Sequence, residues 1–192
     1  RTVLAKPGGI TVQLHESIPS RGANHAWTFP ELQALAAEHF NLAVPGDTTK
    51  MHMMFVDGHS AEDDASGSIL GLAWSHTHLV MFTKTIRSLC GNHPSRNRRE
   101  KICAATERGV WVHEIGHLLG LVDNGLPMVQ DHRDPDPAHG RHDANEDCIM
   151  YWSYDGAGIV NKVARRLELG DESAIGFDAQ CLADLAATRD AP

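Results

Sequence analysis

At 192 residues, with 42% hydrophobic and 22% charged residues, the chain has the composition of an ordinary globular protein and enough length to bury a substantial core. Its net charge of -8 is spread along the sequence, which excludes nucleic acid as the main partner, since phosphate binding needs a clustered basic surface. No apolar run approaches the roughly 18 residues of a membrane span, and the one basic cluster, Arg96, Arg98, Arg99 and Lys101, reads as the solvated start of a helix.

In chain order, residues 10–15 alternate apolar and polar side chains and predict a first strand. Residues 30–40 predict a helix capped by Thr28, with Leu32, Leu35, Ala36 and Phe40 along one face. Residues 51–56, closed by Asp57 and Gly58, predict a buried strand, and 60–68 a loop. Two more strands follow at 69–74 and 78–83, joined by the short turn Ser75-His76-Thr77. After a break at 91–95 a long helix runs over 97–119 and stops at Gly120, with Gly109 a mild cost inside it. Residues 131–147, rich in Asp, His and Pro, predict a loop, and 174–187 a last amphipathic helix. The order predicts an α+β fold with a cleft beside the long helix.

The chain begins at Arg1 and reads as a processed or trimmed form. Its four cysteines form no Cys-x-x-Cys pair. An even number at wide spacing suits two disulfides and an oxidising compartment, with Cys90–Cys103 and Cys148–Cys181 favoured among three connectivities, because each pins a loop beside the long helix.

The chemistry concentrates in VWVHEIGHLLGLVDNG, residues 110–125. On a helix His113 and His117 lie one turn apart on one face, so both imidazoles can reach one metal. Glu114 lies about 100° round the helix from His113 and can address a metal-bound water as general base. In a chain with 13 histidines this five-residue pattern arises too easily by chance to stand alone; its continuation through Gly120 to Asp123 makes it specific. A catalytic zinc takes three protein ligands and keeps a fourth position open. A left-handed turn at Gly120 can bring the side chain three residues on back to the metal, and a carboxylate serves there, so Asp123 is the expected third ligand. The 131–147 loop offers imidazoles instead, His132, His139 and His142, with His132 the nearest in sequence; in that case Asp123 caps a turn or orients a ligand. The same loop, with Asp131, Asp134, Asp136, Asp143 and Asp147, could hold a second, structural zinc or calcium ion.

His113, Glu114, His117, Gly120 and Asp123, followed by Cys148-Ile149-Met150-Tyr151, resemble the metzincin clan of zinc peptidases, whose histidine motif precedes a methionine-containing turn beneath the metal. An aspartate in third place is similar to snapalysin-type members, and the segment through His132, His139 and Met150-Tyr151-Trp152 to uncharacterised bacterial zinc-protease-like proteins. The specific likeness spans residues 110–152. It implies a zincin fold: a mixed β-sheet, an active-site helix, a methionine turn at Met150 and a C-terminal helix. It also implies one catalytic domain over 1–192, with its sheet and motif helix in 1–120 and the methionine turn and last helix in 121–192. Residues 69–74 would form the strand edge that pairs with an extended peptide or protein substrate, and Tyr151 or Tyr154 could steady an oxyanion.

The resulting expectation is a monomeric zinc metalloendopeptidase, secreted or in the cell envelope. Two alternatives stand beside it: a zinc-dependent amidase on a small or cell-wall substrate, and a non-catalytic binding module with a structural zinc.

Overall fold

A computed structural model describes residues 8–189 apart from 15, 47 and 66. A short strand β1 (Ala26–Trp27) leads into α1 (Phe29–His39), whose start is fixed by a capping box: Thr28 accepts from the Glu31 amide while Glu31 accepts from the Thr28 amide. Then come β2 (His52–Val56), β3 (His59–Ser60), β4 (Gly71–Trp74) and β5 (His78–Phe82). Two helices follow, α2 (Thr83–Gly91) and α3 (Arg99–Leu118), and after a long loop α4 (Gly158–Glu168) and α5 (Ala179–Arg189). The architecture is mixed α+β, with a three-stranded sheet in the order β2-β5-β4 and a small parallel pair β1-β3.

In the larger sheet β5 lies in the centre, parallel to β2 and antiparallel to β4. Successive side chains of a strand point to opposite faces. On one face Leu79 and Met81 of β5, with Met53 and Ala73, pack toward α3. On the other, Val80 and Phe82 join Met54, Val56, Leu72 and Trp74 against α1. Burial on both faces explains why β5 reads as an unbroken apolar run rather than an alternating one.

Helix α3 is the spine of the larger core. Its two internal glycines are points of close approach. A Cβ at Gly109 would stand 2.5 Å from Ile159 Cδ1 of α4, and one at Gly116 would stand 2.2 Å from the Sδ of Met150. Met150 is fully buried directly against the motif helix. Cys90 and Cys103 form a disulfide that ties the end of α2 to the first turns of α3.

Several expectations change. Residues 10–14 form no strand; Ile10, Val12 and Leu14 are 67%, 77% and 99% exposed, so the alternating pattern has no surface to cover, and position 15 lies outside the described residues. The last helix begins at Ala179 rather than 174, because Asp178 accepts from the amides of Gln180 and Cys181 and so caps it there. The preceding stretch is extended, and Gly176 accepts a hydrogen bond from the Ile149 amide. Helices α2 and α4 were not foreseen. Cys148 and Cys181 are both buried with their sulfurs 3.7 Å apart, and the expected second disulfide is not formed.

Two stability predictions follow from this packing. Replacing Cys90 and Cys103 by serine should cost about 3 kcal/mol in urea unfolding, the loop-closure value for a link across so short a segment; an unchanged midpoint would rule out a stabilising bond. Gly116→Ala should lower stability by about 1–3 kcal/mol through overpacking against Met150, and an unchanged melting temperature would refute that close approach.

Candidate metal centre

Within α3, His113 and His117 stand one turn apart, with their Nε2 atoms 3.1 Å from each other. The third imidazole comes from the loop. His142 Nε2 lies 3.2 Å from His113 Nε2 and 3.1 Å from His117 Nε2. Asp155, at the end of the short turn Trp152–Asp155 that follows Met150 and Tyr151, faces the same point. Its Oδ1 is 2.6 Å from His113 Nε2 and its Oδ2 3.0 Å from His142 Nε2. These four side chains form one group with metal-ligand spacing.

The ring orientations are determined by backbone. His113 Nδ1 lies 2.7 Å from the carbonyl oxygen of Ile149, and His142 Nδ1 lies 2.5 Å from that of His139. A carbonyl oxygen only accepts, so both Nδ1 atoms carry the proton, and in the neutral rings both Nε2 atoms present lone pairs to the shared centre. This arrangement, with the far nitrogen bonded to a backbone oxygen, is how proteins orient metal-ligating histidines. Tetrahedral ligands at zinc distances stand about 3.3 Å apart, close to the observed spacing. The residues present therefore fit a divalent metal ion, whose identity the donors alone do not fix.

Electrostatics agree with that fit. Burial, with the neighbouring imidazoles, brings His117 down to about 3, which leaves it a neutral ligand through the physiological range. Burial opposes the charge of Asp155, but the facing His113 and His142 outweigh it and hold the carboxyl below its ordinary range. Glu114 is deeply buried, and burial together with the Asp155 charge pushes it well above the usual carboxylate range. A cation among the imidazoles acts on Glu114 in the opposite sense. Room for this carboxylate comes from the sheet: a Cβ at Gly71 would meet Glu114 Oε1 at 2.6 Å.

Asp123 is not brought into this group. Gly120 does turn left-handed, at φ 83°, but Val122 and Asp123 also adopt positive φ, at 54° and 58°. Leu121 and Val122 are driven fully into the core. The turn is then closed by Leu126 donating to the Gly120 carbonyl. Asp123 is left half-exposed, where its Oδ2 meets Arg141 at 3.2 Å and Arg133 at 3.4 Å. His132, the named alternative, is buried elsewhere, between Asp143 at 2.7 Å and Asp184 at 2.9 Å. His139 stacks on Trp152 at 3.8 Å between ring centroids. Tyr154 is buried and donates to the Glu146 carbonyl, away from the imidazoles.

Asp155 was missed by sequence reasoning. Its only signal was a carboxylate five residues beyond Met150, a spacing with no motif attached. His142→Ala should release one equivalent of bound zinc and Asp123→Ala none, as read by elemental mass spectrometry; the reverse result would put the aspartate back at the metal. No profile of a known protein family, no curated protein and no solved structure matches this chain.

Proposed function

We propose that this chain is a metal-dependent hydrolase of amide bonds, and in its sharpest form a zinc metalloendopeptidase of the metzincin type. The observation that carries the reading is the convergence of three imidazole Nε2 atoms, 3.1–3.2 Å apart, on a helix that also presents a buried glutamate beside them. His113, His117 and His142 would hold a zinc ion, which when bound would supply Lewis-acid activation of water and of the scissile carbonyl. Glu114 takes the proton of the attacking water and returns it to the leaving amine. Met150 is fully buried against Gly116 of the same helix and keeps that helix in place. Strand β4 forms an end of its sheet, and its outer edge supports pairing with the main chain of an extended peptide or protein substrate. The Cys90–Cys103 disulfide is compatible with a secreted or envelope location, and a monomer suffices for the chemistry. Among the described residues no helix is long and apolar enough to cross a membrane.

Glu114→Ala should keep fold and bound zinc while hydrolysis of a protein substrate falls at least about 100-fold; undiminished hydrolysis would remove Glu114 from the mechanism. Hydrolysis confined to small or cell-wall amides in a substrate screen would select the amidase reading instead.

Asp155 gives one specific observation in favour of the non-catalytic alternative, because a fourth protein group against the imidazoles is what a closed structural site has. The two readings separate on Asp155→Ala. A hydrolase keeps its zinc and its activity without this carboxylate; a structural site loses zinc, and the wild type hydrolyses nothing.

A further inference from the structure

Away from the imidazole group, the loop and the last helix build a second cluster whose chemistry the proposed hydrolysis does not use. His132, Asp143, Asp178 and Cys181 each offer one donor atom, and these four atoms all lie within 4.8 Å of one another. His132, Asp143 and Cys181 are buried, and Asp178 is partly so. Asp143 Oδ2 is 2.7 Å from His132 Nδ1 and 3.7 Å from Cys181 Sγ. In a tetrahedral zinc site, nitrogen and oxygen donors stand about 3.3 Å apart, and a sulfur stands about 3.6 Å from either.

Asp184 supplies an independent observation. Its Oδ2 lies 2.9 Å from His132 Nε2, on the far side of the ring from the cluster, and its Oδ1 accepts from the Val129 amide. A carboxylate bonded to the far nitrogen of a histidine is the usual way a ligating imidazole is oriented. Asp143 and Asp184 are both fully buried, and the imidazole of His132 is the group that both contact. The remaining sulfur, Cys148, accepts from the amides of Met150 and Asp178 and lies 3.7 Å from that of Cys181.

We infer that His132, Asp143, Asp178 and Cys181 form a second, structural metal site, with Asp184 as the residue that orients His132. The mixed nitrogen, oxygen and sulfur donor set suits zinc, whereas calcium takes six to eight oxygen ligands. This places the second ion expected of the 131–147 loop at its buried end. The other acidic side chains there serve local structure: Asp134 accepts from the Asp136 amide, Asp136 from the Ala138 amide, and Asp147 pairs with Lys162. The site would cross-link the loop to α5.

The sulfur makes the inference testable without relying on activity, because the three imidazoles and Asp155 contain none. The full-length protein, reduced and stripped of metal, is titrated with Co²⁺ while the near-ultraviolet thiolate-to-cobalt charge-transfer band is followed. A band that saturates by two equivalents is expected in the wild type, retained in His117→Ala and lost in Cys181→Ser. Asp184→Asn should keep the band and weaken Co²⁺ binding about 10–100-fold. No band in reduced, folded wild type would overturn the site, as would a band that survives Cys181→Ser. Isolation of the native chain with a Cys148–Cys181 disulfide and no second metal would overturn it too. Failure of the imidazole group instead removes the zinc lost in His142→Ala and leaves this band untouched.

Discussion

The carbonyl oxygens of Ile149 and His139 each take the Nδ1 proton of a histidine, and the rest of the centre depends on those two bonds. Each fixes which ring nitrogen keeps its lone pair and turns that lone pair inward. Each also couples a ring to a different segment, His113 to the turn that carries Met150 and His142 to its own loop. A carbonyl displaced by an ångström would swing an imidazole away from its partners. The turn that carries Met150 therefore has to be pinned on one side, which the contact of Met150 with Gly116 accomplishes, and on another, where Ile149 donates to Gly176.

The loop that supplies His142 has almost no regular structure, so its order must come from buried polar contacts. Asp143 provides most of them. Its amide donates to the Met150 carbonyl, its carboxylate takes the Asn145 amide and His132, and it bridges both Arg133 and Tyr151. Burying that many polar groups is stable only when all are satisfied. His142 is the neighbour of this anchor and inherits its rigidity. Whatever holds Asp143 and His132 together, a proton or a metal ion, thereby acts on the geometry of the imidazole group one residue away.

Much of the fold was legible because local rules carried it. The capping box at Thr28 announced α1, the apolar runs announced β2 and β5, and the spacing of His113 and His117 announced the helix face that meets the loop imidazole. What failed were inferences needing a third dimension. Gly120 predicts a turn but not where it leads; two further left-handed residues and the burial of Leu121 and Val122 direct Asp123 outward. The loop imidazoles were recognised as alternatives, yet sequence distance favoured His132, while packing against Asp143 and Asp184 takes that ring and leaves His142 for the centre. Residues 10–14 show the opposite error, a strand pattern with no sheet to receive it. Gly109 was read as a cost, and the approach of Ile159 shows what the cost allows.

Charge is the last constraint, and it links the carboxylate of the motif to the cation. Glu114 and Asp155 lie in one electrostatic neighbourhood, each made harder to ionise by burial, and the Asp155 charge raises Glu114 further. Burial and the Asp155 charge both favour the protonated form of Glu114, whereas the facing His113 and His142 favour the ionised form of Asp155. A divalent cation, if held by His113, His117 and His142, would add positive charge beside both carboxylates and shift Glu114 toward its anionic form. An apolar side chain could fill the space beside Gly71 without that electrostatic cost, so packing alone does not account for a buried carboxylate there.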